Sequence, residues 1–150
     1  MQFKIPTPLV QEHEALHSRL VLATKVPGPV GRVANKLAKL MDPHFTKEEL
    51  FALPPLVLLP ALAGGKFSPE MSGVLELTDQ LEIELPSMLA EHQKIFGVLQ
   101  ELLAAGEAAG DTGTCEFAGQ LMHHATVEEQ VFYPAALLVG HWVKEYTGKT

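Results

Sequence analysis

The sequence predicts an all-α protein, an up-and-down four-helix bundle built from two pseudo-symmetric helical hairpins with kinked helices. Three observations carry this expectation. Apolar residues recur at helical spacing in four long stretches, prolines and glycines fall between them, and the second half of the chain repeats the histidine and glutamate pattern of the first. The repeat is plainest in His44-Phe45-Thr46-Lys47-Glu48-Glu49, which runs to Pro54, and His124-Ala125-Thr126-Val127-Glu128-Glu129, which runs to Pro134. At this composition, chance supplies His-x-x-x-Glu-Glu about 0.07 times in such a chain, so two copies ask for a cause.

Residues 1–7 read as an extended arm, because Pro6 and Pro8 resist helix except at its first turn. Its apolar residues are free to pack on the body. From Pro8 the series Leu9, His13, Leu16, Leu20 follows the helical period, and Pro27-Gly28-Pro29 ends that helix by Lys25. A second helix begins near Pro29, with Val33, Leu37, Leu40 and Met41 on one side. Pro43 predicts a kink or a break in it, since proline inside a helix removes a hydrogen bond and crowds the preceding turn at about 3 kcal/mol. The helix resumes to Pro54-Pro55, and Leu56–Ala63 reads as a short helical turn over one end of the fold.

Ser68-Pro69-Glu70 is a helix start, with Ser68 as the cap and Pro69 in the first position. The third helix runs from there to about Ala105, with a second kink expected at Pro86. Gly106–Gly113 reads as loop by composition. The fourth helix runs from about Thr114 to beyond Pro134. A last segment with Trp142 and Tyr146 either extends it or folds back.

Length and composition fit one domain over residues 1–150, with 47% hydrophobic residues to build a core. There is no basic n-region with an apolar core at the N-terminus, and no apolar run of membrane-spanning length. A soluble, cytoplasmic protein is therefore expected, with no membrane partner. The lone cysteine, Cys115, excludes an internal disulfide and reads as a packed or partly exposed thiol. A formal charge of −7, with 11 scattered basic residues, argues against nucleic acid as a partner.

The repeat extends to the other two helices. Glu12-His13-x-x-Leu16-x-x-x-Leu20 matches Glu91-His92-x-x-Ile95-x-x-x-Leu99, and each pair is followed at nearly equal distance by its His-x-x-x-Glu-Glu partner. On a helix, positions i and i+4 stack about one turn apart, so each copy aims an imidazole and a carboxylate at one point. Singly, each histidine reads most simply as a surface or hydrogen-bonded core residue. Together, four histidines and two glutamates at matched positions would bury two carboxylates in an apolar bundle, which costs heavily unless a cation compensates them. The expected metal ligands are His13, His44, Glu48, His92, His124 and Glu128. Imidazole and carboxylate without thiolate suit iron or manganese better than structural zinc, and two carboxylates among four imidazoles suggest a bridged pair of ions.

In these motifs, over about residues 8–139, the chain resembles the hemerythrin-like, or HHE cation-binding, family. The resemblance implies two non-haem iron ions, bridged by carboxylates and by oxo or hydroxo, that bind dioxygen or another small ligand or report oxygen and redox state. A sensor would further need a protein partner. By position, His13 and His44 look like ligands of one iron, His92 and His124 of the other, with Glu48 and Glu128 as bridges and Glu49 and Glu129 outside the ligand set. Where the family commonly carries a fifth histidine, one turn before His92, this chain has Met88, a weak ligand for ferric iron. Among the other histidines, His17 is expected in a supporting or surface role, His123 facing away from the metal and His141 exposed. An enzyme that reduces peroxide or nitric oxide, and a metal-poor bundle serving protein interaction, are the alternatives.

Overall fold

The protein is described from a computed structural model that covers residues 1–148, so the last two residues of the expected domain lie outside the described residues. Helix α1 (Thr7–Thr24) starts directly after Pro6. Pro8 sits in the first turn, where a missing N–H costs nothing, and the Pro6 carbonyl accepts from the Leu9 N–H at 2.9 Å. Its buried residues, His13, Leu16, Leu20 and Ala23, form one stripe. The arm before it packs as expected, Ile5 and Phe3 each joining an apolar cluster of the body.

Helix α2 (Pro29–Lys47) follows a short turn and buries Val30, Ala34, Leu37, Met41, His44 and Phe45. The break allowed for at Pro43 does not occur, and α4 likewise runs unbroken through Pro86. Both prolines are solvent-exposed, so the crowding from each ring is relieved on the outer face while the core stripe stays continuous.

The irregularity falls later, at the glutamates. Directly after α2, Glu48–Ala52 forms a single π-helical turn, in which the Leu53 N–H reaches back five residues to the Glu48 carbonyl at 2.9 Å. The second copy does the same over Glu128–Phe132, with the Tyr133 N–H on the Glu128 carbonyl. Pro54 and Pro134 each follow such a turn. Lacking an N–H, neither can make the i→i−4 bond of a regular helix, and the turn ahead widens by one residue. Such turns often mark functional positions.

A 3₁₀ turn, Pro54–Leu58, and the short helix α3 (Leu59–Ala63) cross to the second half, as the apolar run predicted. Ser68 accepts from the Glu70 N–H and opens a 3₁₀ turn over Pro69–Gly73, which leads into α4 (Val74–Ala109). At 1.5 Å per residue α4 is about 54 Å long, and it touches every other long helix of the second half and α2 of the first. The connection after it is shorter than the loop predicted. Gly110 turns in the left-handed region at φ 66°, and Asp111 caps α5 (Thr112–Val127) through the Thr114 N–H at 3.1 Å. Gly106 belongs to the helix. A Cβ there would lie 3.0 Å from Cys115 Sγ, so this glycine serves the close approach of α5 rather than a turn.

Helix α6 (Tyr133–Thr147) continues from α5 through the second π turn and settles the fate of Trp142 and Tyr146, which extend the fourth helix. It lies against the first half of α4, where Gly140 meets Thr78. A Cβ at 140 would stand 2.4 Å from Thr78 Oγ1. Gly140→Ala is therefore expected to destabilise the fold by about 1–3 kcal/mol through overpacking, read as a lower denaturation midpoint at unchanged m-value.

The four long helical runs thus make an all-helical bundle, and its apolar core is divided. One cluster joins Leu16, Leu20, Leu37, Phe45, Ile95 and Leu121. Another joins Phe51, Leu53, Leu81, Met88, Tyr133 and Ala136. His92 lies between Met88 and Ile95 on α4, and Glu48 between Phe45 and Phe51, so the buried histidines and glutamates occupy the layer between the two clusters.

Candidate metal centre

All six residues expected as ligands, His13, His44, Glu48, His92, His124 and Glu128, are buried in that layer. They form two groups with ligand atoms close enough to hold a metal ion. His44, Glu48, His92 and Glu128 make one, and His13, His124 and Glu128 make the other. His44 Nε2 and His92 Nε2 face each other at 2.8 Å, and the His13 and His124 ring centres lie 5.1 Å apart. The ligand atoms thus group His44 with His92 and His13 with His124, where the family resemblance implied His13 with His44 and His92 with His124. Each such pair draws one member from either half of the chain.

Glu128 serves both groups with different oxygens. Its Oε1 lies 3.4 Å from His92 Nε2, while its Oε2 lies 3.0 Å from His124 Nε2 and 3.6 Å from His13 Nε2. Glu48 is used unequally. Its Oε1 faces His44 Nε2 at 3.4 Å and His13 Nε2 at 3.9 Å, but its Oε2 accepts a hydrogen bond from the Tyr133 hydroxyl at 2.8 Å.

The outward nitrogen of every histidine meets a carboxylate. His44 Nδ1 bonds Glu91 at 2.9 Å, His92 Nδ1 bonds Glu129 at 2.8 Å, and His124 Nδ1 bonds Glu12 at 2.5 Å. His13 Nδ1 lies 3.7 Å from Glu49. A carboxylate on Nδ1 fixes the ring and leaves the Nε2 lone pair for a cation, the arrangement usual around metal-bound histidine. Glu49 and Glu129 accordingly stand outside the ligand groups, as expected, and the glutamates of both Glu-His pairs take the same role toward the opposite half of the chain. Lys47 extends one of these contacts, holding Glu91 at 2.6 Å and Glu84 at 3.4 Å.

Two tests bear on whether a cation fits. Buried polar atoms almost always have a hydrogen-bond partner, yet among the described residues nothing supplies one for His13 Nε2, Glu48 Oε1, His124 Nε2 or Glu128 Oε2. All four atoms point into the two groups. The second test is charge. Burial first, then the charge of Glu128, pushes the Glu48 carboxyl well above the usual carboxylate range. Burial would raise Glu128 as well, but the Glu48 carboxyl and the imidazoles of His124, His13 and His92 close around it hold it well below. The pair therefore favours sharing one proton over ionising both carboxyls. Burial lowers His44, with Glu91 only partly opposing it. Burial also disfavours charge on His92 and His124, but Glu128, helped by Glu129 and Glu12 respectively, raises both. Protons thus do in this layer what a cation would do. Residues of this kind in this order can bind a metal ion.

Tyr133 is the site residue that the sequence reading missed. It is fully buried, and its hydroxyl lies 3.3 Å from His92 Nε2 and 3.4 Å from His44 Nε2 besides its bond to Glu48. Burial and the neighbouring carboxylates push its pKa far up, so it stays a neutral donor. A signal was present: in the aligned copies Tyr133-Pro134 stands opposite Leu53-Pro54, a polar residue against an apolar one. Met88 is buried in the apolar cluster with Tyr133. His17, His123 and His141 are exposed, as expected, and Cys115 is partly exposed with its thiol on the Leu103 carbonyl.

The chain matches no protein-family model, no curated protein and no solved structure. Among the described residues no helix is long and apolar enough to cross a membrane.

Proposed function

We propose that this chain is a non-haem di-iron protein of the hemerythrin-like kind, which binds dioxygen or senses oxygen and redox state at a carboxylate-bridged centre. The observation that carries this reading is the double shell around Glu48 and Glu128: four Nε2 atoms turned inward and a carboxylate beside every Nδ1. His44 and His92 would hold one ion with Glu48, His13 and His124 the other, and Glu128 would bridge them, its two oxygens already divided between the groups. The two hairpins would then be related by an approximate two-fold axis through the centre. Iron bound there supplies redox change and open positions for a small ligand.

The protein's own contribution is burial, orientation and one proton donor. Apolar clusters on both sides exclude water, which strengthens every charge interaction within the layer. Tyr133 ties Glu48 through one oxygen and places a hydroxyl beside His44 and His92, on the side where Met88 stands one turn before His92. That hydroxyl favours a second reading, reduction of peroxide or nitric oxide, because such chemistry consumes protons beside the metal.

Aerobically purified protein should carry near-ultraviolet charge-transfer bands and two irons per chain. A colourless protein that takes up no iron would overturn the proposal, and turnover with peroxide would select the enzyme over the carrier or sensor. Tyr133→Phe should leave Glu48 without its donor and destabilise the chelated protein by about 1–3 kcal/mol, measured by denaturant unfolding.

A further inference from the structure

The two halves of the centre are unequally enclosed. Around His44 and His92, the outer carboxylates Glu91 and Glu129 are 28% and 27% exposed. Both hold their imidazoles closely, and Lys47 and Tyr133 close that side further. Around His13 and His124 the corresponding Glu49 and Glu12 are 55% and 45% exposed, and Glu49 stands off at 3.7 Å.

A cavity of about 400 Å³ opens over this looser half, lined by His13, Glu14, His17, Asp42, Phe45, Thr46 and Glu49. Three of these are carboxylates, one is a second histidine, and none is Lys or Arg. His13, only 5% exposed, forms the boundary. Its Nδ1 faces Glu49 in the cavity wall, and its unpartnered Nε2 faces Glu48 and Glu128 in the centre. One ring therefore spans the two spaces. The larger cavity on the other flank of α1 reaches the centre only through Glu12, the partner of His124, and sets Arg19 beside Glu12 and Glu116, which makes it less favourable to a cation.

We propose that the cavity over His13 is the port for metal uptake: its carboxylate-lined mouth draws in a hydrated divalent cation, which passes to the centre by rotation of the His13 ring. The port rests on the metal-centre reading above. Carboxylates concentrate a divalent ion at the mouth, while His17 and Glu49 exchange its water ligands before the buried histidines receive it. Uptake is then governed by residues outside the ligand set, and final occupancy by residues within it.

The test is the rate at which chelated, full-length protein takes up cobalt(II) at low ionic strength, followed by the visible absorption of the bound ion. Asp42→Asn combined with His17→Gln should slow uptake about tenfold and flatten its salt dependence, with unchanged final cobalt content and unchanged melting of the loaded form. Glu116→Gln, in the cavity on the other flank, should load at the wild-type rate. Wild-type kinetics in the double variant, or equal slowing by Glu116→Gln, would overturn the port while leaving the centre intact. A wild type that binds no cobalt at all would overturn the centre, and the port with it.

Discussion

Glu128→Gln is expected to empty the whole centre, whereas His13→Ala and His44→Ala should each leave about half of the wild-type metal. The difference follows from the division of labour between the two carboxylate oxygens. Oε1 faces His92 and Oε2 faces His13 and His124, so one amide substitution withdraws an anionic ligand from both groups. Each histidine belongs to only one group. The substitution also leaves the raised imidazoles of His92 and His124 without the charge that raised them, so they should revert toward neutral. Metal analysis after equilibrium dialysis checks the prediction, with circular dichroism to verify that each variant remains helical. Equal losses in all three variants would mean that the groups do not function separately.

Metal removal should lower the melting temperature by about 10 °C, and the gap should widen with pH. In the metal-free protein Glu48, His92 and His124 have raised pKa values. A raised group favours the folded state below its unfolded pKa and loses that contribution as pH rises through its folded value; for a carboxyl like Glu48, the loss begins at the ordinary carboxylate value. His44, whose pKa is lowered, works the other way near its ordinary value, and Glu128, also lowered, is already ionised. Three groups therefore weaken the metal-free fold between about pH 5.5 and pH 8 and one strengthens it. Metal binding must expel the protons that these ligands carry, so affinity rises by about tenfold per pH unit for each proton released. Melting curves of loaded and chelated protein at both ends of that range supply the measurement. A gap that shrinks as pH rises would exclude the proton-for-metal exchange.

Much of this arrangement was legible in the sequence because it is written in period and spacing. The matched copies placed His44 with Glu48 and His124 with Glu128 on single helical faces, and the helix starts at Pro29 and after Ser68 follow from local chemistry. What escaped depends on contacts between distant segments. Gly106 reads as a turn from its neighbours, and only the approach of Cys115 shows why it is glycine. The histidine partners differ from those the family resemblance implied, because spacing along one hairpin does not fix which Nε2 atoms of the other hairpin come within reach. Tyr133 was not singled out at all, because helical spacing marks an aromatic residue as core and says nothing of where its hydroxyl reaches. The π turns follow from Pro54 and Pro134, but proline announces only that regular helix fails, not that the backbone will widen there.

The crossing of histidine partners between the two hairpins has a consequence for time as well as for equilibrium. His44 and His92 are 48 residues apart, and Glu12 reaches His124 over 112. An ion held between such partners ties segments whose encounter requires closure of long stretches of chain. Separation of the hairpins, a route by which a helical bundle comes apart, would have to rupture ligand bonds before water could reach the apolar clusters. Bound metal would then act as a latch on the act of opening, lengthening the lifetime of the folded chain under protease or heat beyond what a shift in melting temperature alone conveys.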